Sequence, residues 1–179
     1  LSQSILTYNE NRGLLRRLYQ LRRRNPALLK AKEVLAIVHS SMLMLKEEHN
    51  QLLRQLLQDL KKRELKPDKR ARVILSGSLC EAPQSVILDL IEEAGMVIID
   101  DDLYVGSRYF ANDAVVDQDP LVALADRYLE RIPPCPTRVD SETDWGDYIV
   151  QMVSRNQAVG VINLVVKYCP PHLAYYPDI

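Results

Sequence analysis

Three short apolar runs in the second half of the chain alternate with stretches of helical pattern. The runs cover residues 72–76 (RVILS), 96–99 (MVII) and 160–166 (GVINLVV), and they are rich in β-branched side chains. Such runs are typical of parallel strands that are buried on both faces. Helices are predicted between them over residues 83–94, 119–130 and 144–156. The alternation predicts an α/β fold with a parallel, Rossmann- or flavodoxin-like sheet and flanking helices.

The N-terminal part of the chain is predicted to be helical. Leucines recur at helical spacing over residues 10–64, with a break at Asn25-Pro26, and Lys66-Pro67 ends the last helix, because proline disfavours helix in the residue before it. We therefore expect a helical segment over residues 1–68 and an α/β domain over residues 69–179. Three strands make a thin sheet, so the α/β domain is interpreted as truncated at its C-terminus and the chain as a fragment of a larger subunit.

Charge is distributed unevenly along the chain although the net charge is only −1. Residues 1–72 carry 17 basic and 7 acidic side chains, whereas residues 73–179 carry 6 basic and 17 acidic ones. The favoured interpretation is that the basic segment packs against acidic surface of its own chain or of a partner subunit. The alternative is an anionic partner, such as nucleic acid or a phosphorylated cofactor. Because no signal peptide and no membrane-spanning apolar run is recognisable, a cytoplasmic protein with no membrane contact is expected.

The three cysteines lie in loops flanked by prolines. Cys80 follows the first predicted strand and Cys169 follows the third, so both are expected at the carboxyl edge of the sheet, where open α/β sheets bind ligands. Cys135 lies in the sequence Pro133-Pro134-Cys135-Pro136 after a helix, and the sequence does not assign its edge. Three thiolates at a common metal site are one interpretation. The other is three buried, inert thiols.

Several segments together resemble the benzoyl-CoA reductase / 2-hydroxyacyl-CoA dehydratase family over about residues 33–179. These segments are residues 42–50 (MLMLKEEHN), 76–81 (SGSLCE), 88–95 (LDLIEEAG), 100–106 (DDDLYVG), 133–135 (PPC) and 166–172 (VKYCPPH). The resemblance implies that Cys80, Cys135 and Cys169 hold one [4Fe–4S] cluster whose fourth iron is open and easily stripped by oxygen. It further implies a sister cluster-bearing subunit, a separate activator that hydrolyses ATP, and an acyl-CoA thioester as substrate. The first 68 residues then correspond to inter-domain helices of the larger subunit.

The sequence of residues 76–81 and 100–109 is more similar to the ring-reducing branch of this family than to the dehydratases. A benzoyl-CoA reductase-like oxidoreductase subunit is therefore expected. One alternative is a 2-hydroxyacyl-CoA dehydratase subunit, a lyase that acts through a ketyl-type radical. A second alternative, from another class, is a non-enzymatic module that binds nucleic acid through the basic helical arm. Family subunits carry a further α/β domain before this region, so the fragment alone is expected to be inactive.

Other polar residues near the predicted crevice have competing interpretations. His172 is the candidate catalytic proton donor, and its alternatives are a hydrogen bond near the cluster or an ordinary helix-start histidine. Residues 100–102 (DDD) resemble a hard-cation site, but loop capping and solvation are favoured. Arg108 and Lys167 are expected either to contact CoA phosphates, to offset the charge of the cluster, or to form surface ion pairs. The arginines of residues 16–24 are candidates for contact with the CoA 3′-phosphate or a partner subunit.

Overall fold

A computed structural model describes residues 1–64, 67–78, 81, 83–117, 119–137 and 144–176. Three helices come first: α1 (Ser2–Arg24), α2 (Ala31–Leu43) and α3 (Lys46–Lys62), with a short 3-10 turn at Pro26–Leu28. The α/β part follows as β1 (Ala71–Gly77), α4 (Ser85–Glu93), β2 (Met96–Asp101), a 3-10 turn (Ser107–Phe110), α5 (Pro120–Leu129), α6 (Trp145–Asn156), β3 (Gly160–Leu164) and α7 (Pro170–Tyr175). None of the described helices is both long enough and apolar enough to cross a bilayer.

The sheet formed by the described residues has three parallel strands in the order β2-β1-β3. The predicted α/β class with a parallel sheet and a helical N-terminal segment is therefore confirmed. Since β1 is central, the chain leaves it toward β2 and later returns on its other side as β3. The carboxyl ends of β1 and β3 thus flank the point where the strand order reverses, which is where open α/β sheets place their ligand crevice.

Helices cover both faces of the sheet. Alternate strand residues such as Val73 and Ile98 pack with Leu35 of α2 and with α4. The intervening residues, such as Ile74, pack against α6 through Ile149. Because side chains alternate along a strand, these two clusters lie on opposite faces.

The helical segment packs directly onto the α/β part. Helix α1 begins at Ser2, eight residues earlier than the leucine pattern predicted, because Ile5 is buried against Ala114 and Ala123 from the segment around α5. Farther along α1, Tyr19 meets Phe110 edge to face, with ring centroids 4.8 Å apart. The predicted boundary at residue 68 falls between α3 and β1, and the division into two domains stays a prediction.

A buried polar network joins the three N-terminal helices. Asn11 donates hydrogen bonds to Nδ1 of His49 (2.9 Å) and to Asn50 (2.7 Å), and it accepts one from Ser41 (2.6 Å). The other ring nitrogen of His49, Nε2, lies 3.1 Å from the carbonyl oxygen of Ile37. These contacts require a neutral His49 that carries its proton on Nε2, since Nδ1 faces a donor. In agreement, burial lowers the pKa of His49, while the backbone hydrogen bond to Ile37 acts in the opposite direction.

The His49 network predicts a pH-dependent stability. A base whose pKa is lowered on folding binds fewer protons in the folded state, so its stabilising effect is present above pH 6.5 and is lost as the pH falls through the folded pKa. We expect the free energy of unfolding to decrease below pH 6.5 by at most about 1.4 kcal/mol per pH unit from this group. Urea unfolding between pH 7.5 and 5 measures the slope. His49→Gln should reduce it, whereas the exposed His39→Gln should leave it unchanged; equal slopes in both variants would contradict the assignment.

Candidate functional site

Two of the three predicted ligand cysteines are among the described residues. Cys135 and Cys169 are both half-buried free thiols. Cys169 lies directly before α7, in the loop that follows β3. Cys80 lies outside the described residues, and Ser78 is the last described residue before it.

The segments that lead to Cys80 and Cys169 start side by side. The Ser78 amide donates to the carbonyl oxygen of Leu164 (3.1 Å), and the Ser78 hydroxyl accepts from the Val166 amide (2.8 Å). Val166 leaves the strand ladder for this contact, which is why β3 ends at Leu164 and not at residue 166 as predicted. The sequence-based expectation that both loops begin at the carboxyl edge of the sheet agrees with this arrangement.

Cys135 and Cys169 are connected by two aromatic rings. The hydroxyl of Tyr104 lies 2.8 Å from the Cys135 sulfur, and Nδ1 of His172 lies 3.3 Å from the Cys169 sulfur. The two rings meet edge to face with centroids 6.4 Å apart. Tyr104 follows β2, so Cys135, whose edge the sequence did not assign, also lies at the carboxyl end of the sheet. Thr137 adds a further contact to the Cys135 sulfur at 3.0 Å.

A buried ion pair anchors the loop that carries Cys135. The Arg108 guanidinium donates to the carbonyl oxygens of Pro133 (3.2 Å) and Pro134 (2.5 Å), the two residues before Cys135. Its Nε lies 2.8 Å from a carboxylate oxygen of Asp102, and both side chains are almost fully buried. The alternative that Arg108 forms a surface ion pair is therefore wrong, because Asp102 and two backbone carbonyls enclose its guanidinium.

Trp145, the one tryptophan in the sequence, extends this network to His172, beside Cys169. Its indole N–H donates to Asp102 (2.8 Å), and its ring meets His172 edge to face at 5.2 Å. Asp102 thereby links the Cys135 loop, α6 and α7. Burial raises the pKa of Asp102, and the neighbouring Arg108 opposes part of that shift.

The aspartates of residues 100–102 are buried structural groups. Asp100 binds Arg23 (2.7 Å) and Asn156 (2.9 Å), and Asp101 accepts from the hydroxyl of Tyr19 (2.5 Å) and the amide of Ser107 (2.7 Å). Loop capping is thus confirmed for Asp101, but the expected solvation is wrong, since all three side chains are at most 2% exposed. The described part of the chain contains no group of three His, Cys, Asp or Glu side chains arranged for a metal ion; Cys80 was not among those residues.

His172 is enclosed by the site. The side chain is only 3% exposed, and burial followed by the positive charge of Arg108 lowers the pKa of its ring. A neutral imidazole with its proton on Nδ1 can donate to the Cys169 sulfur. The predicted catalytic role of His172 stays a prediction.

The hydroxyl groups near the site are also held neutral. Burial and then the hydrogen bond to Cys135 raise the pKa of Tyr104. Burial and then the Asp102 carboxylate raise the pKa of Tyr148 to about 12. Tyr104 can therefore donate its proton in a hydrogen bond to the Cys135 sulfur.

Part of the basic segment pairs with acidic groups of the same chain, as the favoured interpretation expected. Arg12 and Arg16 both contact Asp113, and Lys32 contacts Asp89 at 2.9 Å. These pairs account for part of the positive charge that motivated the nucleic-acid alternative. Farther along, Lys167 is exposed and lies over the ring of Tyr168, 5.1 Å from its centroid.

Sequence reasoning missed Tyr104 and Trp145 as parts of the site. Tyr104 lies in residues 100–106, one of the segments that carry the family resemblance, and it comes shortly after a predicted strand, which pointed to the carboxyl edge of the sheet. Trp145 follows a predicted helix start, but nothing in the sequence indicates that its indole points toward Asp102.

Comparisons with known proteins agree with the motif-based resemblance. The family model described as 2-hydroxyglutaryl-CoA dehydratase, D-component, matches residues 1–179, so the match includes α1, which the resemblance over about residues 33–179 left out. Over 178 residues the chain is 35% identical to a benzoyl-CoA reductase subunit of Thauera aromatica, covering 99% of this chain and 46% of that protein. It is 29% identical to the (R)-phenyllactyl-CoA dehydratase beta subunit of Clostridium sporogenes, covering 99% of this chain and 46% of that protein. It is 27% identical to the lactoyl-CoA dehydratase beta subunit of Anaerotignum propionicum, covering 99% of this chain and 47% of that protein. The chain spans about half the length of the curated relatives it matches.

Proposed function

Because this chain belongs to the 2-hydroxyglutaryl-CoA dehydratase D-component family, we propose that it is part of an iron–sulfur subunit that delivers low-potential electrons to an acyl-CoA thioester. Cys80, Cys135 and Cys169 are the proposed ligands of one [4Fe–4S] cluster. A benzoyl-CoA reductase-like ring reduction is the proposed reaction, supported by 35% identity to a benzoyl-CoA reductase subunit. The proposed partners are a sister cluster-bearing subunit and a separate activator that hydrolyses ATP.

One observation carries the proposal: Cys135 and Cys169 belong to a single connected network at the carboxyl end of the sheet. Tyr104 contacts one sulfur, His172 contacts the other, and the two rings touch. The segment that leads to Cys80 starts at the same edge, through the two hydrogen bonds of Ser78. Soft thiolate donors from separate loops fit an iron–sulfur cluster, which is held by cysteine sulfur.

The surrounding side chains have distinct roles in this proposal. Tyr104 and His172 each donate a hydrogen bond to a ligand sulfur, which stabilises the negative charge on that sulfur. Arg108 holds the Cys135 loop through two backbone carbonyls, and the Trp145 indole keeps Asp102 oriented toward Arg108. When bound, the cluster supplies one-electron reduction at low potential.

A 2-hydroxyacyl-CoA dehydratase subunit is the second candidate, because the relatives at 29% and 27% identity are dehydratase beta subunits. The two reactions use the same proposed ligands but yield different products. Incubating the assembled enzyme with benzoyl-CoA in one arm and a 2-hydroxyacyl-CoA in the other, followed by product analysis, separates them.

The proposed ligand set predicts the iron content of the chain. After strictly anaerobic purification and reconstitution we expect about four iron and four sulfide ions per chain. Cys80→Ala, Cys135→Ala and Cys169→Ala should each lose most of that iron, because three thiolates hold the cluster and two do not suffice. The control is Val166→Ala, an exposed position three residues before Cys169, which should keep its iron. Cysteine variants that retain as much iron as the unaltered chain would exclude the ligand assignment.

A further inference from the structure

A positively charged cleft of about 340 Å³ lies behind the Cys135 loop, between α1, the 3-10 turn after β2 and α6. Three guanidinium groups and two amide side chains are among the groups that line it: Arg16, Arg23, Arg155, Gln20 and Asn112. None of its described lining residues is an aspartate or a glutamate. Asp113 and Asp100 pair with Arg16 and Arg23 from outside this lining. Arg155 adds a third guanidinium, so the cleft keeps an excess of cationic donors that is complementary to an anion.

Neighbouring groups orient the three arginines, but these contacts do not occupy all of the hydrogen-bond donors of their guanidinium groups. The carbonyl oxygen of Phe110 orients the Arg16 guanidinium at 2.7 Å, and Asp113 contacts it at 2.5 Å. Arg23 binds Asp100 through Nη2, while its Nε is buried and has no partner among the described residues. Arg155 has no carboxylate within 4 Å in the described part of the chain, and its guanidinium lies 5.9 Å from the centroid of the Tyr148 ring.

We propose that this cleft binds the phosphoryl groups of a nucleotide-type ligand. Guanidinium groups match the geometry of phosphate oxygens and bind them with charge-assisted hydrogen bonds. The volume is within the range of small-molecule sites, about 300–1,000 Å³. Pro133, which lines the cleft, is two residues before Cys135, so a ligand held there lies next to the loop of the proposed cluster site.

Two kinds of ligand carry phosphoryl groups that would fit this cleft. One is the CoA part of an acyl-CoA thioester, and this assignment rests on the proposed function. The other is a free adenine nucleotide, which does not depend on it. Both carry a diphosphate, and CoA adds a 3′-phosphate on the ribose.

Equilibrium binding of four probes to the chain, by titration calorimetry, tests the proposal. CoA and ADP should bind, inorganic diphosphate should compete with both, and pantetheine, which lacks the phosphates, should bind at least tenfold more weakly than CoA. Tighter binding of CoA than of ADP identifies CoA as the source, and equal binding identifies the shared nucleotide diphosphate. Higher salt should weaken binding of the charged probes alone.

Two variants assign the binding to the cleft. Arg155→Met and Arg16→Met should each weaken binding of CoA and ADP by about tenfold or more, the effect of losing one hydrogen bond to a charged group. Arg16→Met is expected to fold, because Asp113 is partly exposed and keeps its ion pair with Arg12, so no buried carboxylate is left unpaired. The matched control is Arg17→Met, an exposed neighbour on α1 that lines a different groove; it should bind both probes normally.

Pantetheine binding as tight as that of CoA, no binding of any phosphorylated probe, or normal binding by both cleft variants would overturn the proposal. Iron content keeps this result separate from the proposed function. If the chain retains iron but binds no nucleotide, the cleft assignment alone is wrong. If the chain binds ADP but holds no iron, the cluster assignment alone is wrong.

Discussion

Asp102→Ala is expected to destabilise the folded chain by about 3–5 kcal/mol, the usual cost of breaking a buried ion pair on one side. The substitution leaves the buried Arg108 guanidinium without its carboxylate and the Trp145 indole N–H without its acceptor. Urea unfolding at pH 7 gives the free energy. Since Arg108 also holds the carbonyls of Pro133 and Pro134, the Cys135 thiol should in addition react faster with iodoacetamide.

Two comparisons make the Asp102 result specific. Arg108→Met should cost a similar amount, but the double variant should cost clearly less than the sum of the two, because no unpaired charge remains. The matched control is Asp126→Ala, whose ion pair with Arg131 is partly exposed and should cost less than about 1 kcal/mol. A loss below about 1 kcal/mol for both Asp102→Ala and Arg108→Met would mean that this network does not hold the site together.

Gly77→Ala is expected to lower the free energy of unfolding by about 4 kcal/mol, from overpacking and backbone strain together. Gly77 ends β1 with a φ of 140°, and a Cβ atom there would lie 2.1 Å from the carbonyl oxygen of Leu164 in β3. The obstacle is backbone, which cannot rotate away, so β1 and β3 must separate. Hydrogen exchange should then show faster exchange of the Ser78 and Val166 amides, which bridge the two loops.

Gly95→Ala separates the two causes of the Gly77 effect. Gly95 also has a positive φ, 82°, but an added Cβ meets nothing within 4 Å. It should therefore show the backbone strain alone, about 1–2 kcal/mol. Equal losses for the two glycine variants would contradict the role of the close approach between β1 and β3.

The strands and most helix positions followed from local pattern, because a buried parallel strand needs a short run of branched apolar residues whatever its neighbours are. The same pattern placed Cys80 and Cys169 after β1 and β3, since strand direction in a parallel sheet determines the edge at which the following loop begins. The start of α1 was missed because it depends on Ile5 packing against residues more than 100 positions away. Burial of residues 100–102 was missed for a similar reason, because their partners come from helices distant in the sequence. Arg23 and Asn156 bind Asp100, Tyr19 binds Asp101, and Trp145 binds Asp102.

The sequence by itself determined the α/β class, the parallel sheet and the chemical identity of the three thiols. Only the tertiary structure decided where Cys135 lies, that Arg108 is an internal anchor, and that three arginines face a common cleft. Local pattern reports the spacing of apolar side chains along one element. The direction of a polar side chain depends instead on which donor or acceptor another element brings within about 3 Å, and that is a property of the packed chain.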